Sequence, residues 1–159
     1  METEDEMPPP GSFAPPSEDA AEQETGTTFR PRFGPDGLLT AVAVDDATGD
    51  ILMLAHMDAA ALAETIRTGI VHYFSRSRRA IWKKGETSGQ IQTVREILVD
   101  CDQDALVLRV AVGGDGGACH TGARSCFFRA LRPDGTLAPA DTMSCGAGVP
   151  STWSAIRST

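Results

Sequence analysis

A stretch of five residues with three carboxylates constrains this chain most, because its side chains suit two kinds of metal ion. In Asp100-Cys101-Asp102-Gln103-Asp104 acidic residues occupy every second position, and a thiol lies between the first two. In an extended segment the three Asp side chains would point to one side and Cys101 to the other. Carboxylate oxygens suit Mg²⁺ or Ca²⁺, whereas a thiolate suits Zn²⁺. The alternative interpretation is a solvated acidic turn with an incidental buried cysteine.

The carboxylate stretch does not have the pattern of an EF-hand loop. Such a loop needs Gly at its sixth position and Glu at its twelfth. Counted from Asp100, these positions hold Ala105 and Ala111. A Mg²⁺ site that is partly completed by water fits the three Asp residues better.

Three cysteines suggest an open zinc site. Cys101, Cys119 and Cys126 form no C-x-x-C pair, which argues against an ordinary structural zinc finger. Three thiolates would leave one position of a tetrahedral Zn²⁺ open for a water, whose pKa the ion lowers toward about 7. His120 is a candidate to take or relay a proton, although a fourth zinc ligand and a structural loop residue are alternatives. Cys145 is predicted to be a spare thiol.

The expected compartment follows from the apolar pattern and the cysteines. No apolar run approaches the length of a membrane span, and no leader-like segment opens the sequence. We therefore expect a cytoplasmic protein, since clustered cysteines in a reducing cytosol are more typical of metal sites than of disulfides. Two disulfides in a secreted protein are the alternative.

The negative charge of the chain is concentrated near its beginning. Residues 1–28 contain eight of the 22 acidic residues and five of the ten prolines, and they have neither Lys nor Arg. Such a segment buries too little apolar surface to offset its ordering entropy, so we predict a disordered acidic extension. The remaining acidic residues balance the 14 Lys and Arg, so bulk charge predicts neither nucleic-acid nor membrane binding.

The apolar pattern predicts an α+β fold with a mostly antiparallel sheet and one main helix. Asp58 is a suitable N-cap for a helix over residues 59–68, which Gly69 would end. We assign the folded domain to residues 29–131 and a loose C-terminal tail to residues 132–159. Strands are predicted at 39–44 and 51–56, which would form a hairpin, and at 70–74, 90–99, 105–112 and 125–131.

A basic passage lies between the predicted helix and the carboxylate stretch. It interleaves cations with hydroxyl groups, and it has a glycine on each side of the stretch 86–88. Arg forks and hydroxyls hold phosphate, and glycine lets backbone amides approach an anion. A solvated, charged edge strand is the alternative. The candidate phosphate ligands are Arg76, Arg78, Arg79, Lys83, Lys84, Ser75, Ser77, Thr87 and Ser88.

Taken in order, these motifs resemble the phosphoribosyl-AMP cyclohydrolase family of histidine biosynthesis. The resemblance covers about residues 37–129. It implies hydrolysis of the N1–C6 bond in the adenine ring of phosphoribosyl-AMP, which gives the formimino-AICAR ribonucleotide. The motifs are Ser75-Arg76-Ser77-Arg78, Trp82, Lys84-Gly85-Glu86-Thr87-Ser88-Gly89, Asp100-Cys101-Asp102-Gln103-Asp104, Gly117-Ala118-Cys119-His120-Thr121-Gly122 and Ser125-Cys126-Phe127.

The same resemblance implies roles for individual residues. Mg²⁺ would be bound by Asp100, Asp102 and Asp104, and Zn²⁺ by Cys101, Cys119 and Cys126. The zinc ligands would come from both subunits of an intertwined homodimer, so activity would depend on dimerisation. Zinc-activated water would attack C6 of the purine while His120 assists proton transfer. The residues that would contact the substrate are Arg76, Arg78, Lys84, Thr87 and Ser88.

Two other functions explain less of the sequence. A zinc deaminase would also attack a purine C6, but it needs H-x-E and P-C-x-x-C, and neither string occurs. A zinc-stabilised interaction module would explain the cysteines and leave the Asp triad and the basic passage unused. The chain departs from the family pattern at His56, Asp58, Lys83 and Gln90. None of these is a predicted metal ligand, so we expect them to affect substrate contacts rather than the chemistry.

Overall fold

Eight strands and two helices make up the part of the chain that the structure, a computed structural model, describes, residues 12–140. No helix within this range is both long and apolar enough to cross a membrane. In chain order the elements are α1 (Ala20–Thr25), β1 (Leu39–Asp45), β2 (Ile51–Met57), α2 (Ala59–Thr68), β3 (His72–Ser75), β4 (Ala80–Lys83), β5 (Gln92–Val99), β6 (Ala105–Val112), β7 (Arg129–Leu131) and β8 (Leu137–Pro139).

The main sheet has four strands in the order β2-β1-β6-β5. The pairs β1–β2 and β5–β6 are antiparallel, whereas the central pair β1–β6 is parallel. Alternate residues of the two central strands are buried, because successive side chains of a strand point to opposite faces. The predicted α+β class and the mostly antiparallel pairing are confirmed by the elements and by these strand pairs. The buried residues of β1 and β6 are Leu39, Ala41, Ala43, Leu106, Leu108 and Val110.

Helix α2 has the ends that its sequence predicts. Asp58 Oδ1 accepts a hydrogen bond from the backbone N–H of Ala61 at 2.8 Å. Gly69 has φ 69°, the left-handed conformation that favours glycine, and ends the helix. Thr65 lies on the buried face, and its hydroxyl accepts a bond from the N–H of His72 at 2.9 Å, which joins the helix to β3. Helix and following strand thus form one packed unit.

A second hairpin, β3–β4, is fixed to the main sheet by buried polar groups. Tyr73 and Trp82 are register partners, and their ring centroids are 5.4 Å apart. The hydroxyl of Tyr73 donates to Gln92 Oε1 at 2.7 Å, and Gln92 Nε2 donates to the sulfur of Met53 at 3.3 Å. Because these groups are buried, their hydrogen bonds are needed to offset the cost of desolvation. The bonds connect the hairpin to β5 and β2.

The last predicted strand, 125–131, is wrong in its first half. Ser125 donates from Oγ to the carbonyl of Ile51 at 2.7 Å, and the N–H of Cys126 donates to the carbonyl of Leu52 at 2.7 Å. These bonds hold the segment against the start of β2, so the strand β7 begins only at residue 129. It pairs with β8, which lies where the sequence predicts a loose tail. Cys145 and the rest of that tail lie outside the described residues.

The segment 12–28 also differs from its prediction. Instead of disorder it forms α1 and packs onto the domain. The ring of Phe13 lies 5.7 Å from that of Phe29 and 6.3 Å from that of Phe33, and the side chain of Gln23 is buried. The segment has few large apolar residues, and a small aromatic cluster and a buried amide attach it to the domain instead. Residues 1–11 lie outside the described range, and the domain boundaries stay a prediction.

Candidate active site

A pocket of about 580 Å³ contains four of the residues to which the family resemblance assigns a role, Arg76, Lys84, His120 and Cys126. Strand β2 supplies one wall, the hairpin β3–β4 another, and the loops after β6 the rest. The other side chains in contact with this space are Met53, Leu54, Ala55, His56, Phe74, Ser75, Ser77, Trp82 and Ala118. An apolar and aromatic surface with a few converging polar groups is typical of a small-molecule site.

Lys84 is a buried cation in this pocket, with 7% of its surface exposed. Its Nζ donates to the carbonyl of Ala118 at 3.0 Å and lies 5.7 Å from the ring centroid of Trp82. Burial lowers the pKa of Lys84, and the nearby thiols of Cys126 and Cys119 act in the opposite direction with smaller effect. The ammonium group is therefore placed to stabilise negative charge on these sulfurs or on a bound anion.

Two of the three predicted zinc ligands, Cys119 and Cys126, lie together. The two thiols are close enough for each to shift the pKa of the other, and Thr121 Oγ1 lies 3.0 Å from Cys119 Sγ. The contact with Thr121 is the largest effect on Cys119, whose pKa is lowered. Cys126 is exposed, but neighbouring atoms desolvate its sulfur enough to raise its pKa to about 11. Of the two thiols, Cys119 is therefore the one that loses its proton more readily.

Strand β2 and the turn before it position Cys126. The guanidinium group of Arg124 forks between the carboxylates of Asp45 and Asp50, which flank the β1–β2 turn, with Nη2 donating to Asp45 at 2.7 Å. Next in the chain, Ser125 is fully buried and bonded to β2. The sequence gives no local signal for the role of Arg124, because the partners of this residue are distant in the chain.

A glycine-rich loop, residues 113–117, leads to Cys119 and is tied to the turn that follows Lys84. Gln90 Nε2 donates to Asp115 Oδ1 at 2.7 Å, and the N–H of Gly113 donates to the carbonyl of Ile91 at 2.8 Å. Gly85 makes the turn with φ 83°, and a Cβ there would lie 2.3 Å from backbone atoms of Gln90. Only glycine fits such a position. The loop thus places Cys119 and His120 beside the pocket.

His56 is a pocket residue that the sequence analysis noted only as a departure from the family pattern. It projects from β2, and burial lowers its pKa, to which the positive charge of Arg76 contributes a further lowering. The one available signal is that a titratable residue interrupts an otherwise apolar strand. Phe74 and Trp82 were likewise not predicted to line the site.

The three Asp side chains converge as predicted. One carboxylate oxygen from each of Asp100, Asp102 and Asp104 lies within 4.8 Å of the other two. A hydrogen bond shared with Asp100 is the main cause that raises the pKa of Asp104. Burial acts to raise the pKa of Asp100, but the hydrogen bonds that its carboxylate accepts outweigh burial, and the pKa is lowered. Three carboxylates this close together are a donor set that suits a hard divalent cation.

The route by which the carboxylates converge differs from the prediction. The segment is a turn and not an extended strand, because Asp100 Oδ1 accepts bonds from the N–H groups of Asp104 and Ala105 at 3.0 and 3.2 Å. The side chain buried beneath the turn is that of Gln103, with 7% exposed. Cys101, predicted to face away from the carboxylates, is exposed on the same turn.

Cys101 does not join the other two thiols within one chain. Of the side chains in residues 12–140 that could ligate a metal, only the Asp triad forms a group of three within 4.8 Å. Cys119 and Cys126 therefore offer two sulfur ligands, and a third would have to come from elsewhere. A zinc site with three thiolates and one open position is therefore incomplete within residues 12–140 of a single chain.

Three predicted substrate contacts lie outside the pocket. Arg78 is exposed in the β3–β4 turn, and its Nε lies 3.4 Å from Ser75 Oγ. Thr87 and Ser88 are exposed in the turn after Lys84. Within a single chain these three residues therefore do not line the space that Arg76, Lys84, His120 and Cys126 share.

Most of the described chain matches a known family. Residues 53–128 match the family model described as Phosphoribosyl-AMP cyclohydrolase. A protein of that name from Chelativorans sp. is 58% identical over 120 residues, which cover 76% of this chain and 86% of the relative. The protein of the same name from Sinorhizobium fredii is 58% identical over 120 residues, 76% of this chain and 79% of the relative. That from Brucella canis is 55% identical over 122 residues, 77% and 87% respectively.

Proposed function

The chain belongs to the phosphoribosyl-AMP cyclohydrolase family, a family of hydrolases, and we propose on this basis that it opens the adenine ring of phosphoribosyl-AMP by hydrolysing the N1–C6 bond. This reaction would be its step in histidine biosynthesis. The family identification agrees with the resemblance seen in the sequence motifs. The cytoplasmic location stays a prediction.

The observation that carries the proposal is the content of the pocket. Trp82 and Phe74 offer flat apolar surfaces to a purine, and Arg76 at the edge offers a fork for a phosphate. Cys126 and His120 lie at the same space. A planar base, an anionic group and a hydrolytic centre would therefore be accommodated together.

Cys119 and Cys126 would hold Zn²⁺, with Cys101 of a second copy as the third ligand. When bound, the ion would supply a water of lowered pKa for attack on the ring carbon. Lys84, whose ammonium group lies near both thiols, would balance the negative charge of the ligand set. His120, on the pocket surface, would take a proton from the attacking water or deliver one to N1 as the ring opens.

Exposed apolar side chains support the homodimer. Leu98 and Val99, each 41% exposed, precede Cys101, while Phe127, 48% exposed, follows Cys126. Large exposed apolar groups beside both sets of thiols mark surfaces suited to a partner. In an isologous dimer, burying these groups against one another would bring Cys101 of one copy toward Cys126 of the other.

Asp100, Asp102 and Asp104 would hold Mg²⁺, whose role would be to neutralise a substrate phosphate. Because Cys101 lies on the same turn, a shared zinc site would also bring this carboxylate turn of one copy to the pocket of the other. Arg78, Thr87 and Ser88 would contact substrate only in such a composite site.

The test is turnover of phosphoribosyl-AMP by the purified protein with Zn²⁺ and Mg²⁺ supplied, followed by the change in absorbance as the purine ring opens. We expect turnover by the wild type, and loss of both turnover and bound zinc in Cys119→Ser. Cys145→Ser, the same chemical change at the thiol predicted to be spare, is the matched control. Lack of turnover by the wild type would refute the proposed reaction, and full zinc content in Cys119→Ser would refute the ligand assignment.

A further inference from the structure

Two buried glutamines connect the N-terminal segment to the carboxylate turn. Gln23 of α1 is 2% exposed and Gln103 is 7% exposed. Gln103 Nε2 donates to the carbonyl of Gln23 at 2.8 Å, and Gln103 Oε1 accepts from the N–H of Arg30 at 2.7 Å. Gln23 Nε2 donates to the carbonyls of Arg30 and Asp102 at 3.0 and 3.2 Å. Each side-chain amide therefore bonds to the backbone of the segment that carries the other glutamine.

The bonds reach the backbone of the turn itself. Besides the bond from Gln23 to the carbonyl of Asp102, the N–H of Arg32 donates to the carbonyl of Gln103 at 2.8 Å. Both carbonyls belong to the stretch of backbone between the side chains of Asp102 and Asp104. Movement of the N-terminal segment would therefore be transmitted directly to the residues that carry Asp102 and Asp104.

The turn needs such external bonds because its conformation is unfavourable. Gln103 has φ 63°, a left-handed conformation that non-glycine residues adopt at a cost. A residue persists in this conformation when its surroundings hold it there. Without the bonds from the N-terminal segment, only the turn's own bonds to Asp100 would hold Gln103 in this conformation.

We propose that residues 17–32 act as a brace that holds the carboxylate turn in its cation-binding shape, with Gln23 and Gln103 as positioning residues. The inference rests on the proposed function, in which the three Asp residues bind Mg²⁺. It assigns to the N-terminal segment a part in preparing the cation site. Amides that orient ligands from behind commonly change metal affinity about 10- to 100-fold when they are removed.

The test uses the full-length, zinc-loaded protein and Mn²⁺ as the probe, because Mn²⁺ accepts the oxygen ligands of Mg²⁺ and gives an EPR signal when free. We expect Gln23→Ala and Gln103→Ala each to weaken Mn²⁺ binding about tenfold or more. The Mg²⁺ concentration for half-maximal turnover should rise by the same factor, while zinc content and turnover at saturating Mg²⁺ are retained. Thr25→Ala is the control, since its hydroxyl bonds only within α1.

A second variant separates positioning from loss of folding. Gln103→Gly takes a positive φ without cost, so it removes the amide without adding backbone strain, and circular dichroism checks that it is folded. It should still bind Mn²⁺ weakly. Wild-type affinity in Gln103→Gly or in Gln23→Ala would overturn the inference. Asp102→Asn distinguishes failure of the brace from failure of the cation site. If Asp102→Asn loses Mn²⁺ and the glutamine variants do not, the brace is wrong. If Asp102→Asn also binds Mn²⁺ normally, both the proposed cation site and the brace are wrong.

Discussion

The carboxylate turn and the thiol pocket are built in opposite ways. The turn gathers three ligands from five consecutive residues and is held from behind by the N-terminal segment. The pocket holds two thiols, Cys119 and Cys126, from one connection between β6 and β7 that is tied to β2 and to the turn after Lys84, and within residues 12–140 no third sulfur lies beside them. A local ligand set can be complete in one chain, whereas a dispersed set can be left open for a second copy. Four predictions test this contrast.

The largest effect concerns sharing of the thiol site. Cys101→Ser and Cys119→Ser should each lose about 1,000-fold or more in turnover. If ligands are exchanged between subunits, co-expression of the two variants should restore about a quarter of wild-type activity, because mixed dimers carry one intact site. Activity and zinc content of the tag-purified mixture provide the measurement. Should the mixture stay as inactive as its parents, each chain supplies its own ligands.

The matching experiment on the carboxylate turn should give the opposite result. Asp102→Asn and Asp104→Asn should each weaken Mn²⁺ binding at least about tenfold, because each removes one charge from the ligand set. Since both residues belong to one turn, co-expression should restore nothing. Recovery of tight binding in the mixture would mean that the cation site, too, is shared between copies.

A smaller effect is expected where β2 supports Cys126. Ser125→Ala removes a fully buried hydroxyl that donates to Ile51 and accepts from the N–H of Phe127, so it should lower the free energy of unfolding by about 1–3 kcal/mol. Chemical denaturation measures the change. Zinc affinity should fall with it, while Mn²⁺ binding at the turn should not. An equal loss of Mn²⁺ affinity would contradict the independence of the two regions.

The smallest effect is a pH dependence confined to the pocket. The pKa of His56 is held below its ordinary 6.5, first by burial and then by Arg76. The neutral histidine is therefore favoured in the folded state, so its contribution is complete above that value and is lost as the pH falls below it. From about pH 7 to about pH 5 the wild type should lose more stability than His56→Gln. Parallel urea titrations of both proteins measure this, and identical losses would show that His56 does not titrate on unfolding.

Local signals in the sequence predicted what depends on local geometry. The ends of α2 follow from Asp58 and Gly69, and the hairpin of β1 and β2 was predicted from the strands 39–44 and 51–56. The convergence of the Asp triad was also expected, although by an extended route that Gln103 and its left-handed backbone overturn.

Features that depend on distant partners could not be predicted from one sequence. The bond between Gln23 and the turn joins residues far apart, and an acidic, proline-rich composition gave no sign of it. The fork of Arg124 on Asp45 and Asp50 is a similar case. The segment that carries Cys126 has the composition of a strand. Its first residues do not form one, because the hydroxyl of Ser125 donates to the backbone of β2 instead.

The parallel pairing of β1 with β6 has a consequence for synthesis of the chain. β1 acquires β2 as soon as the first hairpin has left the ribosome, but its other edge has no partner until residue 112 has been made. Through that interval the nascent chain presents an apolar strand edge, the kind of surface on which aggregation begins. Closing so long a loop late also makes folding slow compared with hairpin formation. The time in which this protein is most open to chaperones, and to misassembly, is therefore fixed by the order of its strands.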